Sequence, residues 1–220
     1  MNLTFRILPV GLAVVAACLW FSAGFSKDKE GLVGLLLVGS FEKADITSDV
    51  EGAKKAQLAA AYVWKYGVRL FTDESWEQQG LKWEDFSERA GVLADELAAK
   101  IKPEFIRNHH GVIDYAIVTG ESAFFSSVIT SPRFLQPFAD TLGDKIHAVV
   151  VDRNILYAFP ATGGKLADFS PALVEIFEET PMPVSLEVFE IDKNGYRVIG
   201  EIDRSTKGSQ IEVLETLQIK

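Results

Sequence analysis

The sequence predicts an α+β fold in which a mainly antiparallel sheet, built from hairpins, packs against helices. Strand-like runs of β-branched and aromatic residues flank two polar turns, at Asp152–Asn154 and at Asn194–Gly195. An Asn-Gly pair between such runs is a strong hairpin signal. Between Trp83 and Ile101 apolar residues recur at spacings of three and four, which places them on one face of a helix. Paired strands with helices between them favour α+β over a series of β-α-β units.

The first part of the domain is predicted to hold a buried apolar element followed by a helix. Gly31–Phe41 is an uncharged run of eleven residues, too short to cross a bilayer, and predicts a buried strand or helix. Further on, Ser48 and Glu51 form a capping-box pattern. The alanine-rich stretch after them favours helix, and Gly67 is a typical helix stop. We therefore expect a helix between residues 48 and 67.

The second part is predicted to contain a buried strand followed by two helices. Gly111–Gly120 has the composition of a buried strand. Ser131–Gly143 and Ser170–Glu179 each begin with serine followed by proline, the residues preferred at the N-cap and first helical position. Residues 203–220 are mostly polar, which predicts a poorly ordered tail or a loosely docked helix. The predicted α+β domain therefore covers residues 27–202.

Composition excludes several classes of function for this domain. Hydrophobic residues make up 48% and charged residues 24% of the chain, enough for a core. The net charge is −9, with no lysine or arginine cluster, which disfavours nucleic acid and anionic membrane surfaces as partners. The single cysteine, Cys18, lies in the N-terminal apolar stretch. The domain therefore has no thiolate for a disulfide, a metal site or a cysteine nucleophile.

The N-terminus carries a targeting or anchoring signal. Ile7–Phe25 is an uncharged run of nineteen residues that follows Arg6, and as a helix it just spans a hydrocarbon core of ~30 Å. Three interpretations remain open: a transmembrane anchor, a cleaved signal peptide ending near Ser22–Gly24, or a lipoprotein signal at Val15–Cys18. We expect residues 1–26 to be a signal peptide or membrane anchor formed by one apolar helix. The domain is then exported or held in the cell envelope, and we expect it outside the cytoplasm.

Three short motifs follow one another between residues 71 and 159, at Trp83, between Ser122 and Leu135, and at Asp152–Leu156. With these motifs, this part of the chain resembles domain-of-unknown-function family 1444 of uncharacterised bacterial proteins. Trp83 corresponds to the start of the family's helix, and Ser122–Ala123 and Ser131–Leu135 correspond to its middle motif. Asp152–Leu156 matches the last motif in part: Arg153 fits, but the proline is absent and an asparagine replaces the acid. The resemblance implies a shared fold unit and carries no activity.

Gly120–Phe124, with the sequence GESAF, comes closest to a catalytic motif. It differs from the G-x-S-x-G elbow of serine hydrolases by having Phe124 at the second glycine, where the strained turn needs a small residue. The only histidine after Ser122 is His147, and the only acids between them are Asp140 and Asp144. These groups are too close along the chain for a hydrolase triad, which is spread over several βα units. We expect Ser122 to begin a helix, with a hydrolase that uses Ser122 and His147 as the alternative.

The remaining candidates predict no metal or cofactor site. His109 and His110 lie in a predicted loop, where adjacent side chains point apart and rarely share a metal. Pro160–Leu166, with the sequence PATGGKL, resembles a phosphate loop but lacks its first glycine and its final hydroxyl residue, which predicts a flexible connection. Four glutamates are expected on solvated helix faces. They are Glu74, Glu77, Glu178 and Glu179.

Together these patterns predict an exported or membrane-anchored binding or interaction module without catalytic activity or cofactor. Its partner is an unidentified protein or small ligand. The alternatives are the serine hydrolase based on Ser122, or an accessory subunit of a membrane complex that docks through residues 7–25.

Overall fold

The computed structural model describes residues 29–204 and the backbone of residues 211–213. These residues form helices and two antiparallel sheets, which confirms the α+β prediction. The N-terminal helix and its three interpretations lie outside the described residues. Among the described residues, none of the helices is long and apolar enough to cross a membrane.

A small sheet forms from the first four strands in the order β1-β3-β2, and β4 pairs with the later part of β3. The apolar run at its start is strand β1, which settles the choice left open between strand and helix. The strands are β1 (Val33–Gly39), β2 (Thr47–Asp49), β3 (Ala56–Trp64) and β4 (Gly67–Leu70).

A large sheet follows, with seven strands in the order β11-β10-β9-β7-β8-β6-β5. Both predicted hairpins are present in it, as β7–β8 and β9–β10, and the predicted strand after Gly111 is β6. The strands are β5 (Glu104–Arg107), β6 (Ile113–Thr119), β7 (Ile146–Asp152), β8 (Ile155–Pro160), β9 (Glu187–Asp192), β10 (Gly195–Ile202) and β11 (Ile211–Val213).

The α-helices are α1 (Asp73–Gln78), α2 (Trp83–Ala98), α3 (Ala139–Leu142) and α4 (Lys165–Glu179). Helix α2 is the periodic helix predicted between Trp83 and Ile101, and it buries Phe86, Ala90, Ala94 and Ala98. Two 3-10 turns, Phe125–Thr130 and Gln136–Phe138, lie between β6 and α3.

The helix expected between residues 48 and 67 is wrong, because this segment forms β2, β3 and the start of β4. Strand β3 lies in the middle of the small sheet and pairs with β1, β2 and β4. Its alanines Ala59, Ala60 and Ala61 are completely buried. Alanine is the strongest helix former, but its advantage is less than about 1 kcal/mol per residue, and burial together with pairing to these strands outweighs it. Gly67, expected to stop a helix, instead follows the tight turn into β4 with a φ of 130°.

Both serine-proline helix starts are also wrong. Helix α4 begins at Lys165, so Pro171 lies inside it and the Ser170 hydroxyl donates to the Leu166 carbonyl at 2.8 Å. Between Ser131 and Gly143 only α3 is α-helical. A second proline, Pro137, has no N–H to continue a helix started at residue 132, so the segment breaks into turns.

The tail also differs from its prediction at three residues. Ile211–Val213 pairs with Gly200–Ile202 as the edge strand of the large sheet, where a helix or an unordered segment was expected.

A carboxylate joins the two sheets. Glu187 of β9 is buried, and its Oε1 accepts the N–H groups of Lys54 and Lys55 at 2.6 and 3.0 Å. Its Oε2 accepts the N–H of Ala56, the first residue of β3, at 2.8 Å. A second link pairs Arg153 in the β7–β8 turn with Glu42 after β1. These contacts fix the small sheet against the large one and thereby position α2 and the end of β6.

Candidate binding cleft at Ser122

A cleft of about 470 Å³ lies where the end of α2 meets the end of β6. Its apolar lining is Leu97, Ile101 and Phe125, and its polar lining includes Lys100, Thr119, Glu121 and Ser122. The GESAF segment forms one wall of this cleft. Nothing in the sequence indicated that α2 supplies the other wall.

Gly120 is required by packing at this wall. A Cβ atom at Gly120 would lie 2.0 Å from the Phe125 ring, closer than any side chain tolerates. The N–H of Gly120 donates to the Asn154 carbonyl at 3.0 Å, which ties the wall to the β7–β8 turn. The glycine thus serves the close approach of Phe125, which lines the cleft.

Ser122 organises the turn that follows β6. Its hydroxyl oxygen accepts the N–H of Phe124 at 3.3 Å, and its carbonyl accepts the N–H of Phe125 at 3.0 Å. Phe124, at the position of the elbow's second glycine, is completely buried. The chain therefore enters a 3-10 turn at Phe125 and does not continue into an α-helix.

The large sheet keeps His147 away from this cleft. Strand register places His147 opposite Phe159, whereas Thr119, the last residue of β6, lies opposite Ile155. The four-residue offset along β8 corresponds to ~13 Å, and the chain continues beyond Thr119 to reach Ser122. His147 lies at the other end of the strands, with its Nε2 3.9 Å from Glu190 Oε2. Ser122 and His147 are not brought together.

His147 belongs instead to a surface charge cluster centred on Glu190. Lys145 Nζ lies 3.2 Å from Glu190 Oε2, and Arg197 donates to Oε1 at 2.7 Å. Burial lowers the pKa of His147, and this effect outweighs the opposing attraction of Glu190. Burial alone would raise the pKa of Glu190, but the hydrogen bonds from Arg197 and Lys145 lower it overall.

The two adjacent histidines have a different geometry from the one expected. The ring centroids of His109 and His110 lie 3.7 Å apart, so the expectation that the side chains point apart is wrong. Asn108 orders the turn, because its Oδ1 accepts the N–H groups of His110 and Val112 at 2.9 and 3.1 Å. In the described part of the chain, no group of three histidine, cysteine or carboxylate side chains could hold a metal ion.

The glycine-rich connection before α4 leads directly into the helix. Gly163 and Gly164 have φ angles of 93° and 71°, and Lys165 is the first helical residue. The ammonium group of Lys165 lies 2.9 Å from Asp114 Oδ1, so this lysine is engaged by the large sheet. The four glutamates expected on solvated helix faces do lie in helices and are exposed. Glu74 and Glu77 belong to α1, and Glu178 and Glu179 end α4.

A second cavity, which the sequence did not indicate, lies further along α2. It measures about 540 Å³ and lies between the start of β1 and the exposed side of the helix. Val92 lines it and is 56% exposed, unusually high for a large apolar side chain. The only sequence signal is a valine within the polar face of a periodic helix, which is too common a pattern to identify a site.

No protein-family model, curated protein or solved structure matches the chain. The fold and the clefts therefore define only a class, an α+β domain with two joined antiparallel sheets and two clefts along one helix.

Proposed function

We propose that this protein is an exported or membrane-anchored binding module that holds a ligand in the cleft at Ser122 without catalysing a reaction. The observation that carries the proposal is the position of Ser122. Its hydroxyl oxygen accepts a main-chain N–H in a cleft with an apolar floor, and the sheet register holds His147 at the far end of the strands. At that distance His147 cannot take the proton of Ser122, and a serine hydroxyl that keeps its proton is a weak nucleophile.

The lining suggests the chemistry of the ligand. Leu97, Ile101 and Phe125 offer an apolar floor, Lys100 offers a positive charge, and Thr119 contributes a hydroxyl at the rim. Pockets of this kind bind ligands through apolar contact and use a few polar groups for orientation. Glu121 also lines the cleft, so an apolar group that carries a carboxylate fits with that carboxylate directed toward Lys100 and away from Glu121. Placement in the cell envelope rests on the uncharged run Ile7–Phe25.

Two experiments on the full-length protein test the proposal. Labelling with a serine-directed fluorophosphonate should not depend on Ser122, so the parent and Ser122→Ala should behave alike. Stoichiometric labelling that disappears in Ser122→Ala would establish the hydrolase and overturn the proposal.

N-acetyl-leucine serves as the probe for binding, because it joins an apolar side chain to a carboxylate. It should produce saturable NMR shifts at Gly120 and Ser122, and Ile101→Glu should abolish them because it places a carboxylate on the apolar floor. Lys100→Gln should weaken binding without abolishing it. Absence of any saturable shift at the cleft residues of the parent would contradict a ligand site of this chemistry.

A further inference from the structure

Strand β1 lies at an edge of the small sheet, and among the described residues β3 is its only strand neighbour. Main-chain groups of an edge strand point alternately toward its neighbour and away from it. The Leu32 carbonyl accepts the N–H of Val63 at 2.8 Å, so Leu32 faces β3. The N–H of Leu37 points the opposite way and donates to Ser126 Oγ at 3.1 Å. Val33 lies four residues before Leu37, and an even spacing along a strand gives main-chain groups the same direction. The N–H and carbonyl of Val33 therefore also point away from β3.

Val33 and Leu37 differ in what meets these outward groups. The Ser126 hydroxyl bonds both the N–H and the carbonyl of Leu37. Among residues 29–204, no hydrogen bond joins the outward N–H or carbonyl of Val33 to another residue. Val33 lines the cavity of about 540 Å³ beside α2, so among the described residues nothing pairs with this part of the edge.

The walls of this cavity limit what can occupy it. Leu32, Val92 and Leu93 supply apolar contact. Glu88 and Glu96 stand one helical turn before and after Val92, so carboxylates flank the exposed valine. Among the described residues that line it, Arg89 is the only cation, and the whole chain carries a net charge of −9. The two carboxylates and the negative charge of the chain make an anionic lipid surface an unfavourable occupant.

We infer that the edge of β1 at Val33 accepts an extended peptide of another protein as an additional strand. The peptide would bond the N–H and carbonyl of Val33, place an apolar side chain against Val92 and Leu93, and direct a basic side chain toward Glu88 or Glu96. Main-chain pairing at an open sheet edge, with pockets for alternate side chains, is an established mode of peptide recognition. The inference rests on the proposed binding role but uses a different cavity, so it can fail separately.

The test uses random octapeptides displayed on phage and selected on the full-length protein in mild detergent. Enriched sequences should combine apolar residues with flanking lysine or arginine. Val92→Lys should abolish their binding, because it removes the apolar contact and repels a basic peptide, while Ile101→Glu in the Ser122 cleft should leave it unchanged. Enrichment of acidic sequences, or no enrichment over protein carrying Val92→Lys, would overturn the inference. Loss of binding in Ile101→Glu alone would place the peptide in the Ser122 cleft, which supports the proposed function and contradicts the use of β1.

Main-chain pairing is tested by removing one N–H group. Val33→Pro should weaken a selected peptide about tenfold, because it deletes one hydrogen bond and leaves a peptide carbonyl unpaired. Val33→Ala keeps the N–H and should bind within about threefold of the parent. If the proline variant does not fold, hydrogen exchange on the parent tests the same pairing. Bound peptide should slow exchange at the Val33 amide. Unchanged exchange at Val33 with peptide bound would rule out strand addition.

Discussion

The hydroxyl of Ser126 accepts the N–H of Leu37 at 3.1 Å and lies 3.4 Å from the Leu37 carbonyl, although 89 residues separate the two along the chain. Both residues are buried. A single side chain thus supplies what a neighbouring strand would supply at this point of β1. It closes part of the edge of the small sheet and attaches the turn after the Ser122 cleft to it.

Replacing Ser126 by alanine should destabilise the fold by about 1–3 kcal/mol, because it leaves a buried N–H and a buried carbonyl without their partner. The measurement is the free energy of unfolding from denaturant titration. Ser87→Ala is the matched control, since the Ser87 hydroxyl bonds the Glu84 carbonyl on the surface of α2. That control should stay within about 0.5 kcal/mol of the parent. Equal effects of the two substitutions would contradict the structural role of Ser126.

Gly120 and Gly91 should respond in opposite directions to alanine. Gly120→Ala forces a methyl group into the Phe125 ring and should cost about 1–3 kcal/mol. Gly91 lies in the middle of α2 on its exposed face. No atom lies within 4 Å of the position that an added methyl group would take. Gly91→Ala should therefore stabilise the helix by about 1 kcal/mol. Thermal unfolding of the two variants checks both signs. A neutral Gly120→Ala would mean that Phe125 can move out of the cleft wall freely.

Glu187→Gln should destabilise the joint between the sheets by about 1–3 kcal/mol. The carboxylate accepts three N–H groups, and an amide replaces one accepting oxygen by a donor that faces an N–H. Glu201→Gln is the control, because Glu201 pairs with Lys55 near the surface and its loss should cost less than about 1 kcal/mol. Chemical denaturation of both variants at neutral pH provides the comparison. A larger loss for Glu201→Gln would contradict this account.

His147 should make stability depend on pH on the acidic side of its ordinary pKa. Its pKa is lowered in the folded protein, chiefly by burial, so below pH 6.5 the unfolded chain binds more protons at this site. The resulting contribution is complete above pH 6.5 and is lost as pH falls through the lowered folded value. Unfolding free energies across this range should show a shallower slope for His147→Gln than for the parent.

His110→Gln, an exposed substitution in the turn after β5, serves as the control for that slope. Comparison with it shows whether a change in slope is specific to His147. If the parent and His147→Gln have the same slope, burial of His147 does not govern its protonation.

Local signals predicted the elements whose formation depends on local interactions. The hairpin at Asn194–Gly195 and the periodic helix α2 were predictable because turn geometry and side-chain period are encoded within a few residues. The alanine-rich strand β3 was mistaken for a helix because its extended conformation depends on β1, which lies well before it in the sequence and pairs with it over Ala56–Tyr62. Helix propensity cannot register such neighbours.

The site was predictable only at GESAF. The sequence singled out Ser122, and the structure places it in a cleft, but Lys100 and Ile101 reach that cleft through the packing of α2 on the 3-10 turn. The open edge at Val33 arises because β1 is the outer strand of the small sheet and because Ser126, far along the chain, bonds Leu37 and not Val33. No periodicity or motif encodes either relationship.

The Glu187 joint has a consequence for the order of folding during synthesis. The carboxylate is separated by 133 residues from Lys54, whose N–H it accepts. At the ~5–20 residues per second of translation, the strands of the small sheet emerge roughly 7–27 s before β9 is available to hold them. Through that interval the edge of β1 also lacks Ser126 for several seconds, and the nascent chain exposes an apolar strand. Rare codons or chaperone contacts between residues 64 and 187 would therefore change yield more than the same changes placed after β9.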